Sequence, residues 1–175
     1  MIEASQLAEA AGRAAAQLPE EASASLLDAI ESARRVFVAG AGRSGLVARA
    51  FVIRLAQMGV PCAVAGEPTA PRAGEGDLLV CISRSGTTPT VLALADIGRS
   101  AGCRVAWLGA AGKVPSDPAP DLILELPTTG GVPGAWLGTL FETAAWLWLD
   151  ALVGRMAQRR GLTEEDLRAG HANLE

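Results

Sequence analysis

"VFVAGAGRSGLV", residues 36–47, turns from a β-branched run into glycines and then into a helix-forming stretch. Gly40, Gly42 and Gly45 fit the G-x-G-x-x-G spacing of a dinucleotide-binding turn. Glu67 stands about 20 residues further on, where such folds carry the acid that binds a ribose. The same turn also suits a lone phosphate, because the free N–H groups and dipole of a helix N-terminus favour any anion. Which of the two it holds decides what the chain does.

Length argues against the dinucleotide. A dinucleotide oxidoreductase usually joins a Rossmann sheet to a substrate domain, and 175 residues leave no room for both. The chain is half hydrophobic, with 20 Gly and no Tyr, which suits one compact α/β domain of the cytoplasm rather than a disordered segment. A net charge of −4 offers no electrostatic footprint for nucleic acid. Lys113 is the only lysine, and the pairs Arg34–Arg35 and Arg159–Arg160 are expected to be solvated helix ends.

Cys62, Cys81 and Cys103 lie in or beside apolar runs, form no C-x-x-C and are far in sequence from His171, the one histidine. They are expected to be buried reduced thiols, with no metal site. The first 23 residues carry acids and no unbroken apolar run, so they do not read as a signal peptide. The longest apolar stretch, residues 143–154, is broken by Asp150 and too short to span a bilayer.

Along the chain, residues 3–18 and 20–33 read as helices divided by Pro19, with Glu20 and Glu21 favourable in a first turn. Strands are expected at "RVFVAG" (35–40), "VPCAVAG" (60–66), "GDLLVCIS" (76–83), "CRVAWLG" (103–109) and "PDLILELP" (120–127). Helices fall between the first and second strands (44–59) and between the third and fourth (88–102). A long apolar helix spans about 138–160, and a short one starts near Thr163 with the N-cap pattern "TEED". The long helix carries Trp146, Trp148, Leu149, Leu152 and Met156 on more than one face and needs burial on several sides. Alternating strands and helices imply a five-stranded parallel sheet covered on both faces. An N-terminal helical hairpin (1–34), an α/β core (35–127) and C-terminal helices with a tail (128–175) make up the expected single domain.

A second loop resolves the ambiguity. In "SRSGTTPT", Ser83, Ser85, Thr87 and Thr88 put four hydroxyls around Gly86 just before a helix N-terminus. Two such residues would serve as caps. Four, with a glycine among them, suit one compact phosphate monoester, and a dinucleotide fingerprint has no need of them. Gly42, Arg43 and Ser44 of the first turn then face the same ligand from the neighbouring strand.

"GAGRSG" and "SRSGTT" on such a sheet resemble the sugar isomerase (SIS) domain. With "GEPTAP", "LGTLFETAAWLWLDALV" and "LTEEDLRAGHANLE", nearly the whole chain is similar to the 6-phospho-3-hexuloisomerases within that family. The resemblance implies interconversion of a 3-hexulose 6-phosphate and fructose 6-phosphate, with no redox cofactor, in a homotetramer whose subunits share sites. Moving a carbonyl by one carbon needs a base beside the ketone and an acid for the enediolate, work that Glu and His suit. Glu142 matches the family's glutamate and His171 its C-terminal histidine. Glu67 lies where the family has an acid near the substrate, and either hydroxyl binding or a local turn cap fits it. The apolar setting of Glu142 argues against free solvation, and a terminal histidine reaches a site most easily on an adjacent subunit.

The chain departs from the family pattern around the expected ligand. Arg84 replaces a small residue of the phosphate loop and is expected either to bind the phosphate through a bidentate contact or to point to solvent. Thr87 replaces an acid of that loop, Gly170 replaces the Arg before the histidine, and Ala135 and Trp136 precede "LGT". An isomerase for a different phosphosugar, or a non-catalytic phosphosugar-binding module, are the alternative readings.

Overall fold

A computed structural model describes residues 3–129, 132–133, 135–171 and 173. The elements run α1 (Ala4–Ala16), α2 (Glu20–Ser32), β1 (Val36–Gly40), α3 (Gly42–Gln57), β2 (Cys62–Val64), β3 (Leu78–Ile82), α4 (Pro89–Ser100), β4 (Arg104–Ala110), β5 (Leu122–Leu126), α5 (Thr139–Arg160) and α6 (Glu164–Ala169). Every expected strand and helix forms, and Thr163 caps α6 reciprocally with Asp166. All four strand pairings are parallel, in the order β2-β1-β3-β4-β5.

The side-chain period of two splits the sheet into two unequal cores. Val36, Val38, Leu78, Val80, Ile82, Leu108 and Leu124 face α2, α3 and α5. Phe37, Ala39, Leu79, Cys81, Val105 and Trp107 face the other way and are covered by Val91 and Ala95 of α4. β1, β3 and β4 are buried on both faces and therefore read as unbroken apolar runs. β5, at the edge, alternates between exposed and buried residues.

α1 packs mainly on α5, opposite the sheet. That accounts for the all-round apolar character of α5: Trp148, Leu149, Leu152 and Met156 are buried within this chain. Trp146 and Leu147 remain exposed, as do Leu46 and Ile53 of α3. Among the described residues no helix is long and apolar enough to cross a membrane.

Arg159 and Arg160 are exposed in the last turn of α5, the solvated helix end expected of them, whereas Arg34 and Arg35 differ. At the amino-terminal edge of the sheet, Arg34 and Arg35 converge on the buried carboxylate of Asp77, just before β3. Arg34 Nε and Nη2 each donate to it at 3.0 Å, Arg35 Nη2 at 3.3 Å and the Gly74 N–H at 2.9 Å. Two such buried oxygens demand partners, and adjacent arginines can supply a fork from each side. Arg159 and Arg160 reach back from the end of α5 to Asp28 and Glu31 of α2. Of the cysteines, burial pushes the Cys81 thiol up to about 12 and that of Cys62, at the edge strand, up to about 11. Cys103 is buried, and Cys62 is only partly so.

Burial by itself would raise the pKa of Asp77, but the Arg34 hydrogen bond, the Gly74 N–H and Arg35 outweigh it and hold the carboxyl below its ordinary value of 3.8. A carboxylate depressed on folding contributes stability that is full above the unfolded value and vanishes as pH falls through the folded one. Asp77→Asn is therefore expected to destabilise the fold at neutral pH by about 2 kcal/mol. Urea midpoints measured from pH 7 downward should show the gap to the unsubstituted protein closing only below pH 3.8.

Candidate active site

In this strand order the direction of winding reverses between β1 and β3, and ligands of open α/β sheets bind outside the carboxyl ends of strands at such a switch. The glycine turn after β1 and the hydroxyl loop after β3 are the two loops that flank it.

The glycine turn is shaped by close approach. A Cβ on Gly40 would stand 2.6 Å from the Ser44 carbonyl oxygen and 2.9 Å from the Gly45 nitrogen, and one on Gly45 would meet the Gly40 carbonyl oxygen at 3.0 Å. Gly42 turns the chain at φ +55°. α3 thus begins immediately against the end of β1, with Gly42, Arg43 and Ser44 as its first residues. No side chain caps it, and the N–H groups of a helix's first turn have no intrahelical partner.

Ser44 and Arg43 meet α5. Glu142, in the first turn of α5, is only 8% exposed. Ser44 Oγ donates to its Oε1 at 3.4 Å and Arg43 Nε to its Oε2 at 3.4 Å. Both contacts are long, which leaves the carboxylate oriented but with lone pairs to offer a substrate. Arg43 and Glu142 also line a cavity of about 420 Å³ between α3 and α5, walled by Leu46, Val47, Trp146 and Leu147.

In the second loop no hydroxyl caps α4, although Ser85 Oγ accepts the Thr87 N–H at 3.3 Å. Thr88 is the N-cap of α4, yet its side chain makes no cap bond. The hydroxyls bond each other: Ser83 to Thr88 at 3.1 Å, Ser85 to Thr88 at 3.5 Å and Thr87 to Ser85 at 3.2 Å. Gly86 takes φ +69°, and a Cβ there would collide with the Lys113 backbone, so no side chain fits. α5 likewise begins without a side-chain cap, whereas α1 and α6 carry capping boxes. α2, which begins after Pro19, also lacks one.

Arg84 leaves its own loop. Its Nε and Cδ lie 2.6 and 2.7 Å from where a Gly138 side chain would begin, and Glu142 Oε1 is 3.4 Å from that same point. Sequence reasoning singled out Arg84 but had no signal for Gly138, which is glycine in an apolar-flanked "LGT" and sits at φ +94°.

Two residues stand apart from this group. Arg49 of α3 holds Glu67 through Nε and Nη2, at 3.0 and 2.8 Å from Oε1. That contact stitches the loop after β2 to α3 and does not join Glu67 to Ser44 and Glu142. His171 lies beside Gln57, whose Nε2 is 3.3 Å from its Nε2. Gln57 is the last residue of α3 and Ser44 lies in its first turn, so at 1.5 Å per residue His171 and Glu142 are separated by about 20 Å within one chain. Gly170 is pressed against the Gln57 backbone, which leaves no space there for the larger residue of the family pattern.

The sequence profile of the SIS domain matches residues 29–132. The chain belongs to the SIS domain family. SIS relatives of similar length include a 3-hexulose-6-phosphate isomerase of Methylomonas aminofaciens, 35% identical over 158 residues and 86% of each chain. Another of that name, from Bacillus subtilis, is 35% identical over 92% of this chain and 91% of its own. A crystal structure from Methanococcus jannaschii, for which a molecular function of 3-hexulose-6-phosphate isomerase was inferred, superposes on this SIS chain with a TM-score of 0.83. It is 32% identical, with 89% of this chain and 87% of that one covered.

The close approach at Gly40 makes a test of this architecture. Gly40→Ala is expected to force β1 and α3 apart and destabilise the protein by about 1–3 kcal/mol. Gly12→Ala, in the interior of α1 with open space around it, should be neutral or stabilising by up to about 1 kcal/mol. Equal denaturation midpoints for the two variants would contradict the packing described.

Proposed function

We propose that the protein is a sugar-phosphate isomerase that interconverts a 3-hexulose 6-phosphate and fructose 6-phosphate through an enediolate, in the cytoplasm and without a redox cofactor. The observation that carries the reading is the buried Glu142 carboxylate, oriented by Ser44 of the glycine turn at the strand switch where an uncapped hydroxyl loop also ends. Relatives named 3-hexulose-6-phosphate isomerase over most of this chain support the substrate. A charged phosphosugar does not cross membranes unaided, which supports the compartment.

The phosphate monoester is held by Ser83, Ser85, Gly86, Thr87 and Thr88 with the first turn of α4, and by Gly42, Arg43 and Ser44 on the neighbouring strand's loop. Glu142 then takes the proton from carbon 3 of the open-chain fructose phosphate. The electron pair forms the C2–C3 double bond, and the carbonyl oxygen at carbon 2 collects the negative charge and is protonated. Loss of the proton from the oxygen on carbon 3 and return of the carboxyl proton to carbon 2 complete the 3-ketose. His171 supplies and removes the proton on oxygen or opens the sugar ring.

His171 performs this role on a neighbouring subunit. The separation of Glu142 and His171 within one chain supports a shared site. So do the exposed Leu46, Trp146 and Leu147 that line the Glu142 cavity, because clustered exposed apolar side chains mark interaction surfaces. The proposed assembly is a homotetramer. Glu67 acts indirectly, by holding α3 through Arg49.

Fructose 6-phosphate in deuterated water, followed by NMR, tests the reaction. Deuterium at carbon 3 together with formation of the 3-ketose is expected. Stabilisation by the sugar phosphate with no exchange would instead establish the binding-module reading or another phosphosugar. Glu142→Gln should cut turnover by about 10²–10⁴-fold while leaving phosphosugar binding intact. His171→Asn should also be slow, and co-assembled Glu142→Gln and His171→Asn subunits should regain activity that neither shows alone. No recovery in the mixture would refute the shared site.

A further inference from the structure

Arg84 is exposed and, among the described residues, its side chain makes no hydrogen bond or ion pair. It belongs by sequence to the hydroxyl loop, and the obvious role for a cation there is to grip phosphate. Its course is different. The hydroxyls of Ser83, Ser85, Thr87 and Thr88 are bonded among themselves, and Arg84 takes no part. Its side chain instead crosses the gap between loop and helix and lies over Gly138, the residue that begins α5.

Two features make that course specific. Nε and Cδ of Arg84 would collide with any side chain at Gly138, so the guanidinium reaches this position only because residue 138 has none. Glu142 Oε1 borders the same point, on the side where Ser44 is its partner, while Arg43 holds Oε2. Arg43 thus already contacts the carboxylate through Nε, and Arg84 stands next to it with no side-chain partner among the described residues. A permanently charged donor beside a base is placed to serve whatever negative charge appears when that base acts. The uncapped first turn of α5 adds its partial positive charge at the same place.

We propose that Arg84 is a catalytic residue that binds the sugar's carbonyl oxygen and stabilises the enediolate charge, rather than a ligand of the phosphate, and that Gly138 is what admits it. This rests on the isomerase reading above. As Glu142 takes the carbon-bound proton, the electron pair enters the carbon–carbon bond and charge moves onto the former carbonyl oxygen. Arg84 donates hydrogen bonds to that oxygen and keeps its protons throughout, so the proton balance of the isomerisation is unchanged.

Kinetics with fructose 6-phosphate, and competitive inhibition by inorganic phosphate, separate the roles in the unsubstituted enzyme, Arg84→Met and Arg84→Lys. Arg84→Met is expected to lose about 10²-fold or more in kcat, with inhibition by inorganic phosphate unchanged. Arg84→Lys should recover part of kcat, because it returns the charge without the planar fork. If Arg84→Met keeps kcat and instead raises KM and weakens phosphate inhibition together, Arg84 is a phosphate ligand and the proposal is wrong. Unchanged values in every assay would equally overturn it. An unsubstituted protein that neither turns over nor exchanges deuterium would overturn the isomerase reading, and this inference with it. In both active outcomes the melting curves of the variants should match, since Arg84 makes no side-chain bond to lose.

Discussion

The contact of the Gly40 backbone with the Ser44 carbonyl, closer than any side chain would allow, is the constraint on which the functional end of the molecule depends. It brings the start of α3 directly onto the end of a central strand. Because β1 lies between β2 and β3, that helix start falls at the reversal of strand order rather than at an edge. Ser44 and Arg43 are then carried to α5, and the Glu142 carboxylate is fixed from both oxygens. A residue with a Cβ at position 40 would lift α3 off the sheet and uncouple all of these.

Charge is divided between the two ends of the sheet in a way that separates stability from chemistry. At the amino-terminal edge Asp77 is enclosed by Arg34, Arg35 and the Gly74 N–H. Every lone pair there is used, which is what a buried carboxylate needs in order to stabilise a fold. At the carboxyl end, the starts of α3, α4 and α5 have no side-chain caps, Arg84 has no side-chain partner among the described residues and Glu142 is held only by long contacts. Unfinished hydrogen bonding of this kind suits a site that a ligand completes.

The sequence could be read correctly wherever local pattern dominates. Unbroken apolar runs marked β1, β3 and β4, since a parallel strand covered on both faces has no polar side to show. Pro19 divided the first two helices, and "TEED" announced the cap of α6. The hydroxyl cluster at 83–88 was legible because four such residues beside a glycine exceed what a cap uses. The Arg34–Arg35 pair and α5 were harder. Adjacent cations look alike whether they are solvated or clasp a carboxylate 42 residues away, and an apolar helix looks alike whether α1 or another subunit covers it.

The sequence by itself determined the class of fold, the order of its elements and the two loops that meet at the strand switch, because each is written in periodicity or in turn chemistry over a few neighbouring residues. Tertiary structure alone decided which side chains share a neighbourhood. It brought Ser44 to Glu142 across 98 positions, led Arg84 over Gly138 and tied Glu67 to Arg49. It also set His171 beside Gln57, at the far end of α3 from Glu142. Such distances depend on how helices of given length are stacked on the sheet, and no local pattern of residues records that.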